Sequence, residues 1–120
     1  MSKIRKTKFD LEERTLKFAQ DIRFFIKSLP RTVANFEDLK HLVRSSASIG
    51  ANYIEANDSL SKKDFLMRIK ICRKEAKESC YWLRLVDIGA KNNLGELRDK
   101  LLLEATELMK IFGAIVRKSE

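Results

Sequence analysis

Glu75 and Glu78 stand three residues apart in a stretch that reads as one long helix, a spacing that places two carboxylates on the same face. Such a pair could act as general acid and base, although carboxylates at this spacing more often make structural contacts. The rest of a catalytic site is missing. A nucleophile needs a base and an orienting group, and the chain has a single histidine, His41, between Lys40 and Leu42. Neither a Ser-His-Asp nor a Cys-His arrangement is supported, and no catalytic residue is expected. His41 reads instead as a surface or interface residue. A carboxylate metal site of the ferritin-like kind needs Glu-x-x-His pairs. His41 has no Glu three residues before it, so no metal is expected. No Gly-x-Gly-x-x-Gly or P-loop pattern occurs to cradle a phosphate-bearing cofactor. Cys72 and Cys80 lie eight positions apart on the same helix. That is about 12 Å of rise, too far for a disulfide, and both read as reduced packing residues.

The cations show more order. Lys63, Lys70, Lys77, Arg84 and Lys91 succeed one another at intervals of seven, over about 42 Å at helical rise. Arg73 and Lys74 lie beside that row. The chain carries a net charge of +8 and a pI near 9.7, which favours attraction to polyanions. A basic row either tracks a phosphate backbone or simply keeps one face in solvent. These seven cations are the candidate nucleic-acid contacts. No aromatic residue alternates with them, so the stacking part of single-strand binding is absent.

The elements that position these residues are helical. The chain has 120 residues, 44% hydrophobic and 35% charged, with one Pro and four Gly, which suits one domain with one core and too few turns for an all-β fold. Leu11, Thr15, Phe18, Ile22, Phe25 and Leu29 repeat at helical spacing and predict a first helix over about 9–28, ended by Pro30. A second is predicted from Val33 or Phe36 to Asn57, with Thr32 or Asn35 as N-cap. Its core stripe is Phe36, Leu39, Val43, Ala47, Gly50 and Ile54, and the small residues 45–51 allow a close helix neighbour. A third is predicted over 62–91, capped by Ser61 with Asp64 at the third position. Its core stripe is Phe65, Ile69, Cys72, Ala76, Ser79, Leu83, Val86 and Ala90. A turn over 91–95 precedes a fourth helix over about 96–116 on Leu97, Leu101, Ala105, Leu108, Phe112 and Ile115. Residues 1–8 and 117–120 are expected to fray. Four helices with short connections make an all-α, antiparallel up-down-up-down four-helix bundle.

Two features exceed what such a core requires. The third helix has a second stripe of Met67, Ile71, Glu75, Glu78, Trp82 and Leu85 beside Tyr81. One apolar face suffices for a bundle, and aromatic residues are enriched at interfaces. This face reads as a contact with another subunit, or else as the wide face of a central helix. Arg44, Ser48, Asn52 and Glu55 form a polar row on the second helix. Arg44 or Asn52 could join it to Glu75 and Glu78 in a network that fixes register. The basic start of the chain leads into no apolar segment, and no apolar run reaches membrane-spanning length. A cytoplasmic protein with no membrane contact is expected.

Three motifs then occur in order: Arg44 to Ala56 (RSSASIGANYIEA), Ser61 to Phe65 (SKKDF) and Lys74 to Leu83 (KEAKESCYWL). Together they resemble the four-helix-bundle proteins encoded in 23S rRNA intervening sequences, to which the accessory variability proteins of diversity-generating retroelements are similar. The match covers nearly the whole chain, with the segment 32–42 carrying no motif. The resemblance implies a bacterial cytoplasmic bundle that assembles as a ring-like homopentamer. In the retroelement branch it implies a basic surface that contacts nucleic acid and a reverse transcriptase. Arg44, Ser48, Asn52, Glu55, Glu75, Glu78, Tyr81 and Trp82 match the pattern in structural or interfacial roles. The expectation is a non-enzymatic oligomeric scaffold that binds RNA or DNA by phosphate contacts; the alternative is a module that docks a partner protein without binding nucleic acid.

Overall fold

A computed structural model describes the backbone of residues 3–90 and 92–120 and the side chains of residues 11–90 and 93–120. The chain forms α1 (Lys3–Ile26), α2 (Val33–Asn57), α3 (Lys62–Leu85) and α4 (Asn92–Ser119). Each helix packs on its two neighbours around the bundle, and across the diagonal α2 and α4 meet through side chains, with the Tyr53 and Phe112 ring centroids 5.7 Å apart. Contacts run in opposite directions along neighbouring helices: Arg44 with Glu75 and Asn52 with Arg68 across α2–α3, Thr15 beside Gly50 and Glu12 with Asn57 across α1–α2. The bundle is the antiparallel up-down-up-down one that the apolar spacing predicts.

The stripe of α1 is the core stripe, and Leu11, Thr15, Phe18, Ile22, Phe25 and Leu29 are all buried. Thr15, its one polar member, donates to the Leu11 carbonyl at 2.8 Å, which satisfies its hydroxyl inside the core. A Cβ on Gly50 would stand 2.9 Å from Thr15 Oγ1 and 3.2 Å from Thr15 Cβ. Gly50 is therefore where the α2 backbone meets α1. Farther along α2, Ser45 Oγ lies 2.9 Å from Ser79 Oγ, both fully buried, so small hydroxyl side chains set the α2–α3 approach. Arg14 closes α1 on α4 with two bonds to Glu104, at 2.7 and 2.8 Å.

Thr32 caps α2, accepting from the Asn35 N–H at 3.1 Å, and Ser61 caps α3, accepting from Asp64 at the same distance. Asn35 is not the cap. It is buried and donates to the carbonyls of Pro30 and Asp87 at 3.0 and 2.8 Å.

Three expectations change. The third helix ends at Leu85, not Lys91. Val86 is extended, the Asp87 N–H goes to Asn35 Oδ1 at 2.9 Å, and Asp87 Oδ1 takes the Gly89 N–H at 2.8 Å. Side chains thus capture the amides that another helical turn would use, and Gly89, at φ 71, turns the chain. Ala90 is exposed and leaves the core stripe, while Lys91 lies outside the described residues. The turn accordingly falls before Asn92, and α4 starts four residues earlier than expected. Residues 3–8 and 117–119 are helical, and Met1 and Ser2 lie outside the described residues.

The third change concerns α2. Its core face is Asn35, Leu42, Ser45, Ser46, Ile49, Tyr53 and Ala56. The stripe read from the sequence flanks it: Phe36 is 66% exposed and Ile54 50%, with Leu39, Val43, Ala47 and Gly50 half-buried along α1. Helix α2 therefore has two adjoining apolar faces, and periodicity alone favours the more hydrophobic one. The face that enters the core carries three polar residues, each satisfied locally or across to α3.

Candidate functional site

Two arrangements involve α3. The first, between α2 and α3, is the polar network. Arg44 donates to Glu75 Oε2 at 2.9 Å and lies 3.7 Å from Glu78 Oε2. Glu75 is only 5% exposed although its partner reaches solvent. Burial pushes its carboxyl up, but the Glu78, Ser48 and Arg44 side chains outweigh that and hold it below the ordinary carboxylate range. Glu78 moves the other way, raised first by its hydrogen bond to Glu75 and then by burial. The two carboxyls share one arginine and titrate as a pair. Asn52 donates to Ser48 Oγ at 2.9 Å and accepts from Arg68 at 3.0 Å. It thus reaches α3 through an arginine that sequence reasoning missed, not through a carboxylate. Glu55 is exposed, and its backbone carbonyl accepts from the Ser59 hydroxyl and the Asp58 N–H, both at 3.2 Å.

The aromatic part of the same side is built within one chain. Trp82 is half-buried and stacks on His41 from α2, with ring centroids 4.5 Å apart and 11° between planes. Tyr81 meets Trp82 edge-on at 5.0 Å and stays exposed. The Trp82 Nε1 is buried with no hydrogen-bond partner among the described residues. Part of the stripe expected to face another subunit is thus covered by the chain's own α2. Met67 and Leu85 remain about half exposed.

The second arrangement is the basic face. Lys63, Lys70, Arg73, Lys74, Lys77 and Arg84 all lie on α3, all exposed, and none closes an ion pair among the described residues. With α3 ending at Leu85, the heptad row on this helix stops at Arg84, over about 32 Å. Of the three acidic residues on α3, Glu75 and Glu78 are engaged by Arg44 on the α2 side, and Asp64 sits exposed in the first turn.

No group of three or more His, Cys, Asp or Glu suited to a metal ion occurs among the described residues. Cys72 is buried, its thiol donates to the Ile49 carbonyl at 3.4 Å, and burial pushes its pKa up to about 12, so it is no thiolate nucleophile at neutral pH. No helix among the described residues is long and apolar enough to cross a membrane.

The family of 23S rRNA-intervening sequence proteins matches residues 7–114. A crystal structure of a protein with unknown function from the S23 ribosomal protein family, from Bacteroides thetaiotaomicron VPI-5482, is similar in fold. Its TM-score is 0.75 and its sequence identity 31%, over 88% of this chain and 96% of that one. No curated protein matches the chain. With a four-helix bundle in place and the match spanning almost all of it, the chain belongs to the 23S rRNA-intervening sequence protein family.

Proposed function

We propose that this protein is a non-enzymatic oligomeric scaffold whose α3 face binds RNA or DNA through phosphate contacts. The observation that carries the reading is the set of six exposed, unpaired cations on one helix of a chain with net charge +8. Lys17 on α1 pairs with Asp21 at 2.7 Å. These six cations of α3 meet no carboxylate among the described residues, and the row stays available to a polyanion.

Assembly is supported by apolar surface in two separate places. One is the line of Leu16, Phe36, Val43 and Ile54 along α1–α2; the other is Met67 and Leu85 beside Tyr81 on α3. A closed ring needs each copy to offer two different patches that meet head to tail. Two such patches on one chain suit the pentameric ring that the sequence resemblance implies. Charge reversal at Lys70, Lys77 and Arg84 to Glu tests the binding half. Nucleic-acid affinity should be lost with the assembly mass unchanged, and binding that survives would place the contact elsewhere. The exposed α1–α2 line also favours a second reading, a module that docks a partner protein such as a reverse transcriptase. A protein recovered with the chain after nuclease treatment, with no affinity for nucleic acid, would support that reading.

A further inference from the structure

Gly113, buried on α4, marks a place where two arginines from different helices converge. A Cβ on Gly113 would stand 3.5 Å from Arg117 Nη1 and 3.7 Å from Arg73 Cδ. The arms of both side chains therefore lie over the same glycine, where no side chain separates them. Neither makes an ion pair among the described residues. Arg73 brings its methylene arm and Arg117 its guanidinium to this spot. The C-terminal end of α4 favours a cation such as Arg117, but that does not account for a second one arriving from α3.

The register of the two helices extends the cluster. Cys80 Sγ lies 3.7 Å from Thr106 Oγ1, and Arg73 lies against Gly113. Seven residues back along α3 thus correspond to seven forward along α4, as antiparallel helices require. The same register sets Lys77 level with Met109, next to Lys110, and Lys70 level with Val116, next to Arg117. Lys70, Arg73, Lys77, Lys110 and Arg117 are all exposed. They line both sides of the α3–α4 seam, and two of them come from a helix that the sequence row does not include.

We propose that this seam, centred on Gly113, is a phosphate-binding site for the nucleic-acid backbone. Arg73 and Arg117 together hold one phosphodiester, and Lys70, Lys77 and Lys110 follow the strand along the seam. The proposal rests on the nucleic-acid reading above and adds to it α4, and Arg117 in particular. Guanidinium groups suit this role because their planar donors match phosphate oxygens two at a time.

The test is binding of labelled duplex RNA and duplex DNA by wild-type protein and by the exposed-site variants Arg73→Gln, Arg117→Gln and their double, across a salt series. Lys27→Gln, in the turn just after α1, is the control for net charge. The double change removes the one shared phosphate contact and should reduce the slope of log affinity against log salt by about one unit, each single change by part of that, and the control by much less. A double variant that keeps the wild-type slope overturns the site while leaving the α3 row standing. Wild-type protein that binds neither duplex at low salt overturns the site and the nucleic-acid reading together. In that case titration with inorganic phosphate gives the remaining outcome: saturable binding lost in the double variant would make the seam a free-anion site and overturn the backbone assignment.

Discussion

Asn35 Oδ1 accepts the Asp87 N–H at 2.9 Å while its Nδ2 donates to the Asp87 carbonyl at 2.8 Å. One buried amide thereby imitates a β-ladder partner for a single residue 52 positions away. Its Nδ2 also holds the Pro30 carbonyl at 3.0 Å, so the α1–α2 and α3–α4 connections close on the same side chain. Asn35→Ala leaves those groups without partners and should lower stability by about 2 kcal/mol. Urea unfolding followed by circular dichroism checks it; an unchanged midpoint would show that the clamp is redundant.

Gly50 sets the α1–α2 distance. Alanine gains about 1 kcal/mol of helix propensity over glycine, yet here its Cβ would lie 3.2 Å from Thr15 Cβ, an atom fixed to the α1 backbone. No rotamer change at Thr15 relieves that contact. Gly50→Ala should therefore destabilise, with overpacking of about 1–3 kcal/mol exceeding the propensity gain. Thr15→Ala in the same chain should recover only part of the loss, because the Cβ remains. The melting temperatures of the three variants decide it.

The Glu75–Glu78 pair predicts opposite responses to pH. Glu75 is held low by folding. It adds stability above the ordinary carboxylate range and loses it as pH falls through its folded value. Glu78 is raised. It adds stability below that range and loses it as pH rises through its folded value. Glu78→Gln keeps a neutral donor beside Glu75 and should raise the urea midpoint slightly at pH 7, with no advantage in acid, where wild-type Glu78 is already protonated. Glu75→Gln should lower the midpoint at pH 7, by an amount that shrinks as the pH falls. Parallel curves for either variant would separate the pair from the pH dependence of stability.

Much of this was legible in the residues. The α1 stripe, the Thr32 and Ser61 caps and the pairing of Arg44 with Glu75 and Glu78 follow from spacing and side-chain chemistry, because each depends on neighbours within a few turns or on a charge match between two helices. The end of α3 was not legible. It is set by Asn35, 52 residues from Asp87, and no local signal at 86–91 announces that contact. The choice between the two faces of α2 was hidden for a related reason. Asn35, Ser45 and Ser46 enter the core because partners on other segments or their own backbone satisfy them, while Phe36 and Ile54, better core residues by type, stay outside. That Arg117 and Arg73 share Gly113 was not legible either, because only the α3–α4 register sets both against it.

That outward face carries the prediction for assembly. Under the proposed ring assembly, Val43→Glu on the α1–α2 line and Met67→Glu on α3 should each reduce the light-scattering mass to that of one 14.0 kDa chain. Because both positions are partly or wholly exposed, the monomers should keep their helicity. Trp82→Ala, which removes the stack on His41, should instead cost stability, about 2 kcal/mol for a half-buried aromatic. A mass that survives both glutamates would remove these faces from the assembly.

The most direct test of the central claim is the salt dependence of wild-type affinity for duplex RNA and DNA. Engagement of Lys70, Arg73, Lys77 and Arg84 by four phosphates predicts a log–log slope of about −4 on duplex DNA, with tight binding at low salt. Absence of binding at low salt, or an affinity indifferent to salt, would contradict the account and leave the charge of α3 as a device for solubility.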